Sequence, residues 1–355
     1  MSMNTFTLNP ARIAKFKGQI LKHAQPIEVL GLTGQQVEMP QNSSDTIVFR
    51  RWLPFGGTSG QPNQFFSNGT GDRSTAYAQA QLTQEGVTPP PDSLVPQDVT
   101  AVLNQYSVLY GVSDKTVSLY EDDIPPEMIR QVGERVGLIR EMVRFGQLKG
   151  CTNQYYGGTG TTRATVNSYL TLPMLRRITR NLKSNHAKFI RQALAPAALY
   201  ATTAVEACFL VYAHTDLEQD IRDLPGFKNV ADYGSRKPIN EYEIGSCENF
   251  RFILSPELIS IQDSGAAVGS TGCVSTTGTS IDVYQFIVAA EDAWGQVALR
   301  GMNSVDPTYI PPKQKDKNDP LGQRGYIGTS FWFQCTVLNN GWMAVGNVGA
   351  KALVG

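Results

Sequence analysis

The sequence predicts a mixed α+β fold, on three observations. Short runs rich in β-branched and aromatic residues recur along the chain, bounded by Gly, Pro, Asn or Ser. Two segments carry apolar residues at helical spacing. Between these elements lie long stretches dominated by Gly, Gln, Ser and Thr. No internal repeat is visible.

Residues 1–45 have little periodicity. Arg12, Lys15, Lys17 and Lys22 alternate with apolar residues, and a Gly- and Gln-rich stretch follows. The segment reads as an arm, because chain that cannot bury its own apolar groups stays disordered or packs on a neighbour. Thr46–Leu53 and Asp98–Val112 read as strands. The roughly 45 residues between them are too long for a plain connection, and loops of that length are usually functional or disordered.

A long helix is expected from Ile124. Asp122 and Asp123 suit its positive end, and Pro125 and Pro126 suit its first turn. Met128, Val132, Val136, Ile139 and Val143 then form one apolar stripe, closed by Gly146 and Gly150. Gly133 and Gly137 form a G-x-x-x-G pair. Glu134, Arg135, Arg140 and Glu141 exclude a membrane there, so the pair implies close approach of another backbone. A second helix is expected over 171–194, with Thr171 as its cap and Pro173 in its first turn. Leu175, Ile178, Leu182 and Phe189 mark its buried side. Arg176, Arg177, Arg180, Lys183, Lys188 and Arg191 mark its polar side. Ala207–Ala213, Phe250–Leu254, Tyr284–Ala289 and Phe331–Leu338 read as strands. Residues 264–280 read as a flexible loop, and Asn339-Asn340-Gly341 as a turn before Trp342–Val348.

The 355 residues suffice for two or three domains. Hydrophobic residues make up 41%, enough for cores. Charged residues make up 17%, below the usual quarter or so, which suggests that much surface is covered by a partner. Thirty-one basic and 31 acidic residues cancel, so strong electrostatic binding of nucleic acid is not expected. There is no apolar stretch of a secretory signal near the N-terminus and no window long enough to span a membrane. Five widely spaced cysteines without a C-x-x-C pair point to free thiols in a reducing compartment.

Candidate chemistry is sparse, and no catalytic, cofactor or metal residues are assigned. His214 and Asp216 are too few for a structural zinc site, which takes four ligands. Gly56–Gly60 and Gly157–Gly160 lack the Gly-Lys-Ser/Thr ending that grips phosphate. Glu291 and Asp292 are adjacent, so on a strand they would face opposite ways. Lys313, Lys315 and Lys317 are interleaved with Asp316 and Asp319 and read as a solvated loop.

Charge is nevertheless segregated locally. From Cys151 to Val205 there are seven basic residues and no acid. Glu206, Asp216, Glu218, Asp220 and Asp223 follow, with Arg222 the sole Lys or Arg through Asp223. Three readings stay open: pairing within one domain, a basic edge of one copy meeting an acidic edge of the next, or contact with DNA. Head-to-tail contacts of the second kind close into rings.

Four stretches carry a family resemblance. They are 88–100 (TPPPDSLVPQDVT), 222–228 (RDLPGFK), 288–297 (VAAEDAWGQV) and 315–326 (KDKNDPLGQRGY). They closely resemble the major capsid proteins of tailed double-stranded DNA phages, in the branch that includes the phage N-four coat protein. The resemblance implies the Hong Kong 97-type capsid fold. It implies an N-terminal arm (1–45), an extended loop (46–113), a peripheral domain with the spine helix (114–165), an axial domain (166–299) and C-terminal strands returning to the peripheral domain (300–355). It implies a structural protein, not an enzyme. Hexamers and pentamers would build an icosahedral head around DNA bound without sequence specificity. Scaffolding, portal and cement proteins would be partners, with assembly in the host bacterial cytoplasm. The alternatives are a cytoplasmic enzyme of unknown chemistry or another virion structural protein. Some capsids of this fold weld a loop lysine to a neighbour's asparagine. Here no lysine lies between Lys22 and Lys115, and residues 1–150 lack cysteine. The loop must then hold by burial, with Phe49, Trp52, Phe55, Phe65, Phe66 and Tyr77 as anchors. Arg176, Arg177 and Arg180 are the charged interface candidates.

Overall fold

The computed structural model describes residues 26–42, 44–54, 63, 82–88, 93–119, 124–194, 202–234, 236–269, 271–299, 308–315, 317 and 319–353. Asp122, Asp123, Phe55, Phe65, Phe66, Tyr77 and the Gly56–Gly60 run lie outside them.

In chain order, β1 (Gln35–Met39) follows a strap beginning near Ile27. β2 (Thr46–Trp52) and β3 (Pro96–Val102) pair antiparallel as a separate two-stranded ribbon, Thr46 opposite Val102 and Trp52 opposite Pro96. β4 (Asn104–Ser113) leads through α1 (Asp114–Leu119) to the long helix α2 (Ile124–Leu148). The single strand expected over 98–112 is thus two strands broken at Leu103. Leu103 is buried against Met39 and Val297, and its amide donates to Asp45 O at 2.8 Å, so the chain changes partners there.

β5 (Gln154–Tyr156) precedes α3 (Leu172–Ser184). The second helix is shorter than expected. It ends at Asn185, His186 takes a positive φ of 59°, and β6 (Ile190–Leu194) follows. Isoleucine and phenylalanine after the turn favour a strand once a neighbouring strand is available. Thr171 occupies the cap position, but its side chain makes no capping hydrogen bond. β7 (Thr202–Ala213), α4 (Glu218–Arg222), β8 (Lys228–Asn229), β9 (Glu243–Cys247), β10 (Phe250–Leu254), β11 (Tyr284–Ala289) and β12 (Trp294–Leu299) come next. β13 (Thr308–Ile310), β14 (Arg324–Val337) and β15 (Met343–Val348) complete the chain.

Two sheets result. One has eight strands, in the order β5-β15-β11-β7-β10-β9-β8 with β6 on β7. The other has five, in the order β1-β12-β14-β13 with β4 on β14. The central strands β10, β11 and β15 are buried along their whole length, which explains their apolar-rich sequences, and the one polar side chain in each, Arg251, Gln285 or Asn347, is buried with a hydrogen-bond partner. Their side chains alternate between two cores. Leu210, Tyr212, Ile287, Ala289, Met343 and Val345 face the core built on α2 (Met128, Val132, Val136, Leu148). Phe209, Val211, Phe286, Val288, Ala344 and Val348 face the core built on α3 (Leu175, Ile178, Leu182). The eight-stranded sheet is therefore covered on both faces.

The 264–280 segment is pinned rather than loose. Asp282 accepts the Asp263 amide at 2.8 Å and the Thr276 hydroxyl at 2.7 Å, and Asp263 accepts Thr277 Oγ1 at 2.8 Å. Small polar residues here make turns that close on two carboxylates.

Candidate subunit-contact surfaces

The strap is locked to the long helix. Glu141 is fully buried, and its Oε1 accepts the amides of Val29 (2.9 Å) and Leu30 (2.8 Å). Its Oε2 lies 3.3 Å from Arg144 Nη1, and Arg144 Nε donates to Gln296 Oε1 at 3.0 Å. Burial pushes the Glu141 carboxyl up from its ordinary value, against the pull of Arg144 and the two amides. The close approach expected at the G-x-x-x-G pair occurs at Gly137, and it is the Glu28 side chain that comes near. Gly133 faces open space, so the expected backbone contact is replaced by a side chain at one glycine. Further along, Trp294 Nε1 donates to Thr33 Oγ1 at 3.3 Å, and Thr33 bonds the buried Tyr212 hydroxyl at 2.9 Å. Gly34 has φ +109°, and a Cβ there would enter the Trp294 ring.

The ribbon has two unlike faces. Ile47, Phe49 and Ala101 pack on Met39, Leu103 and Val297. On the other face Val48, Trp52 (58% exposed) and Val102 are open, with Arg50 and Asp98 paired across the strands at 2.7 Å. Beyond the strands, Leu82, Val87, Leu94 (77% exposed) and Val95 are also exposed. The large apolar side chains on the outer face of the ribbon form an exposed apolar surface. Of the loop anchors, Phe49 is half-buried within the chain and Trp52 is exposed. Beneath the ribbon a cleft of about 500 Å³ is lined by Phe49, Trp52, Arg51, Lys188, Leu338 and Trp342.

The outer face of α3 is basic. Arg176, Arg177, Arg180 and Lys183 are all exposed. Arg176 reaches Glu248 at 2.6 Å, and Arg177 lies over the Tyr155 ring with its Cζ 5.4 Å from the centroid. The acids of 206–223 turn elsewhere. Glu206 pairs with Arg236 (2.9 Å), Glu218 with Arg222 (2.7 Å) and Asp223 with Lys351 (3.3 Å). The local charge segregation is therefore not neutralised between these two stretches of one chain.

The remaining candidates are structural. His214 Nδ1 accepts the Asp216 amide at 3.0 Å, and its ring packs on Tyr284, whose hydroxyl donates to Asp216 at 2.6 Å. Glu291 and Asp292 form the turn between β11 and β12, with Asp292 at φ 53°. Gly157–Gly160 is a tight turn against Ser168, Asn167 and Thr165. All five cysteines are free and buried. Burial pushes the Cys208 and Cys335 thiols up to about 12, which removes thiolate reactivity. Among the described residues no group of three or more His, Cys, Asp or Glu is placed to hold a metal, and no helix is long and apolar enough to cross a membrane.

Sequence reasoning missed three buried ionic sites: Glu141 with Arg144, Glu243 with Arg251 (2.6 Å), and Asp220 under Lys351. Only the i,i+3 spacing of Glu141 and Arg144 beside the apolar stripe gave any signal.

Two sheets, a long helix, an N-terminal strap and a separate two-stranded ribbon together define the class: the Hong Kong 97-type fold of tailed-phage capsid proteins. The capsid of Ralstonia phage GP4 is similar over 100% of both chains, with a TM-score of 0.66 and 12% identity. The capsid of cyanophage P-SCSP1u is similar over 96% of this chain and 94% of its own, with a TM-score of 0.58 and 13% identity. In sequence, the chain is similar to the major capsid protein of Pseudomonas phage KPP21, 20% identical over 233 residues. That match spans 62% of this chain and 58% of the relative's length. No family model matches the sequence.

Proposed function

We propose that this chain is the major capsid protein of a tailed double-stranded DNA phage, and that it acts by self-assembly. The observation that carries this is the likeness to a phage capsid along the full length of both chains. The exposed apolar ribbon supports it, because such a surface on an isolated chain calls for a neighbour. Hexamers and pentamers would close an icosahedral head around DNA held without sequence specificity. Scaffolding and portal proteins would take part in the bacterial cytoplasm. The role is structural rather than catalytic.

The arm, extended loop, peripheral domain and axial domain are proposed with one refinement. β4 hydrogen-bonds along β14 for ten residue pairs, from Asn104–Phe333 to Ser113–Arg324. That pairing favours ending the reaching loop at Val102 and counting β4 with the peripheral sheet. Phe49, Trp52 and the α3 arginines are proposed as interface residues.

The test is expression of the full chain with its phage partners, followed by size-exclusion chromatography and negative-stain microscopy. Closed shells with hexameric and pentameric units are expected. A stable monomer at high concentration that turns over a metabolite would overturn the reading.

A further inference from the structure

The two ends of the eight-stranded sheet differ in charge. β7 and β10 run parallel, from Phe209 beside Phe250 to Ala213 beside Leu254. β11 begins at that same end, where Tyr284 pairs with Val348 of β15. So α4, the 255–283 loops and the chain after Val348 gather there. Asp216, Glu218, Asp223, Glu257 and Asp263 are all at least partly exposed at this end, against Arg222 and Lys351. In the sequence, the 255–283 stretch that forms these loops contains Glu257, Asp263 and the buried Asp282 and no Lys or Arg.

The outer face of α3 is the converse. Among the described residues only Arg176 of its four cations reaches a carboxylate. Arg177 and Lys183 rest over the Tyr155 and Phe189 rings, which leaves their charge uncompensated. One chain thus carries a basic helix face and a separate acidic end, neither quenched by the other.

We infer that the α3 face of one copy docks on the acidic end, α4 with the 255–283 loops, of the next copy. The inference rests on the capsid reading and deepens it. A contact between two different patches of identical chains is head-to-tail, and it closes into a ring when the rotation allows. Each copy then gives one basic face and receives one acidic end. A second copy fits better than DNA because the chain is neutral overall, 31 basic against 31 acidic residues. Duplex binding draws on accumulated positive charge, whereas a neutral chain with two opposed patches is complementary to itself.

The test is reciprocal charge exchange in the full chain, co-expressed with its phage partners and scored for shell yield at fixed ionic strength. Arg177→Glu with Arg180→Glu should lower the yield roughly tenfold or more, since like charges face each other at every contact in the ring. Glu257→Lys, which breaks none of the in-chain pairs of Glu218 and Asp223, should lower it too. The combined exchange should bring the yield back to within about threefold of the parent, because the attraction is restored with reversed sign. Thermal melts of the dissociated chains, with Arg180→Ala as a milder variant, separate assembly from folding. Full yield from the arginine reversal, or no recovery in the combined exchange, overturns the inference. So do normal shells that retain less DNA, which would assign the face to the duplex. A parent chain that forms no shells would instead fail the capsid reading itself.

Discussion

Asp220 lies under the C-terminal strand, almost wholly buried. Its Oδ2 accepts the Lys351 amide at 3.1 Å, while Oδ1 has no hydrogen-bond partner. Burial pushes its carboxyl up to about 6, against the pull of Lys351 and with a further push from Asp223. A folded-state value raised above the unfolded one contributes stability below about pH 4 that is lost as pH rises through about 6. The melting temperature of the dissociated chain should therefore carry a component that falls between pH 4 and 7. Asp220→Asn keeps the acceptor for Lys351 and should remove that component, so the variant gains on the parent at pH 7.5. A parallel pH profile in both proteins would contradict this. Glu141 is also pushed up by burial, but it is fully partnered, by two amides and a cation. Glu141→Ala should cost about 3–5 kcal/mol in a denaturant melt, because it strips the buried Val29 and Leu30 amides of their acceptor and leaves the buried Arg144 only the more distant Glu28 carboxylate, 3.6 Å away. Neither acid was legible in the sequence. Glu141 sits among other charged residues on the helix, and only the docked strap makes it interior.

At the scale of elements, α3 and the ribbon make a contrast. α3 presents Leu175, Ile178 and Leu182 inward, as its spacing predicts, and all three are fully buried. Ile178→Ala should cost about 2–5 kcal/mol of fold stability, read as a lowered denaturant midpoint. Trp52 is exposed, so Trp52→Ala should leave the melt of the dissociated chain unchanged while it lowers shell yield. A lowered melt with normal shells would place Trp52 in the chain's own core instead. The apolar rhythm runs past the true helix end because Phe189 fits it. The turn at His186 and the pairing of β6 with β7 override that rhythm. Leu103 shows the same for strands. Its β-rich neighbourhood reads as one run, yet two different partner strands divide it.

For the whole molecule, the distribution of lysine and cysteine bears on how a shell would hold. No lysine lies between Lys22 and Lys115, and no cysteine precedes Cys151. An arginine cannot replace the lysine amine, because its guanidinium stays protonated. Particles boiled in denaturant should run as single chains near 38.8 kDa. A ladder of multimers that survives reductant would show a covalent weld. Cohesion then falls to burial and hydrogen bonding, consistent with the apolar ribbon and the low charged fraction of 17%.

The sequence by itself determined the α+β class, the long amphipathic helix and the central strands. Those follow from local periodicity and residue chemistry, which neighbours in the chain suffice to express. β10 and β11 appear where their apolar-rich runs begin and end, because strands buried on both faces are dominated by apolar residues, with only Arg251 and Gln285 interrupting them. The tertiary structure alone decided which acids are interior, where β3 gives way to β4, and that α3 and α4 leave each other's charge unquenched. Each depends on contacts between residues far apart in the chain, such as Val29 with Glu141 or Asp220 with Lys351. Burial and dielectric are properties of such contacts, and no local pattern encodes them.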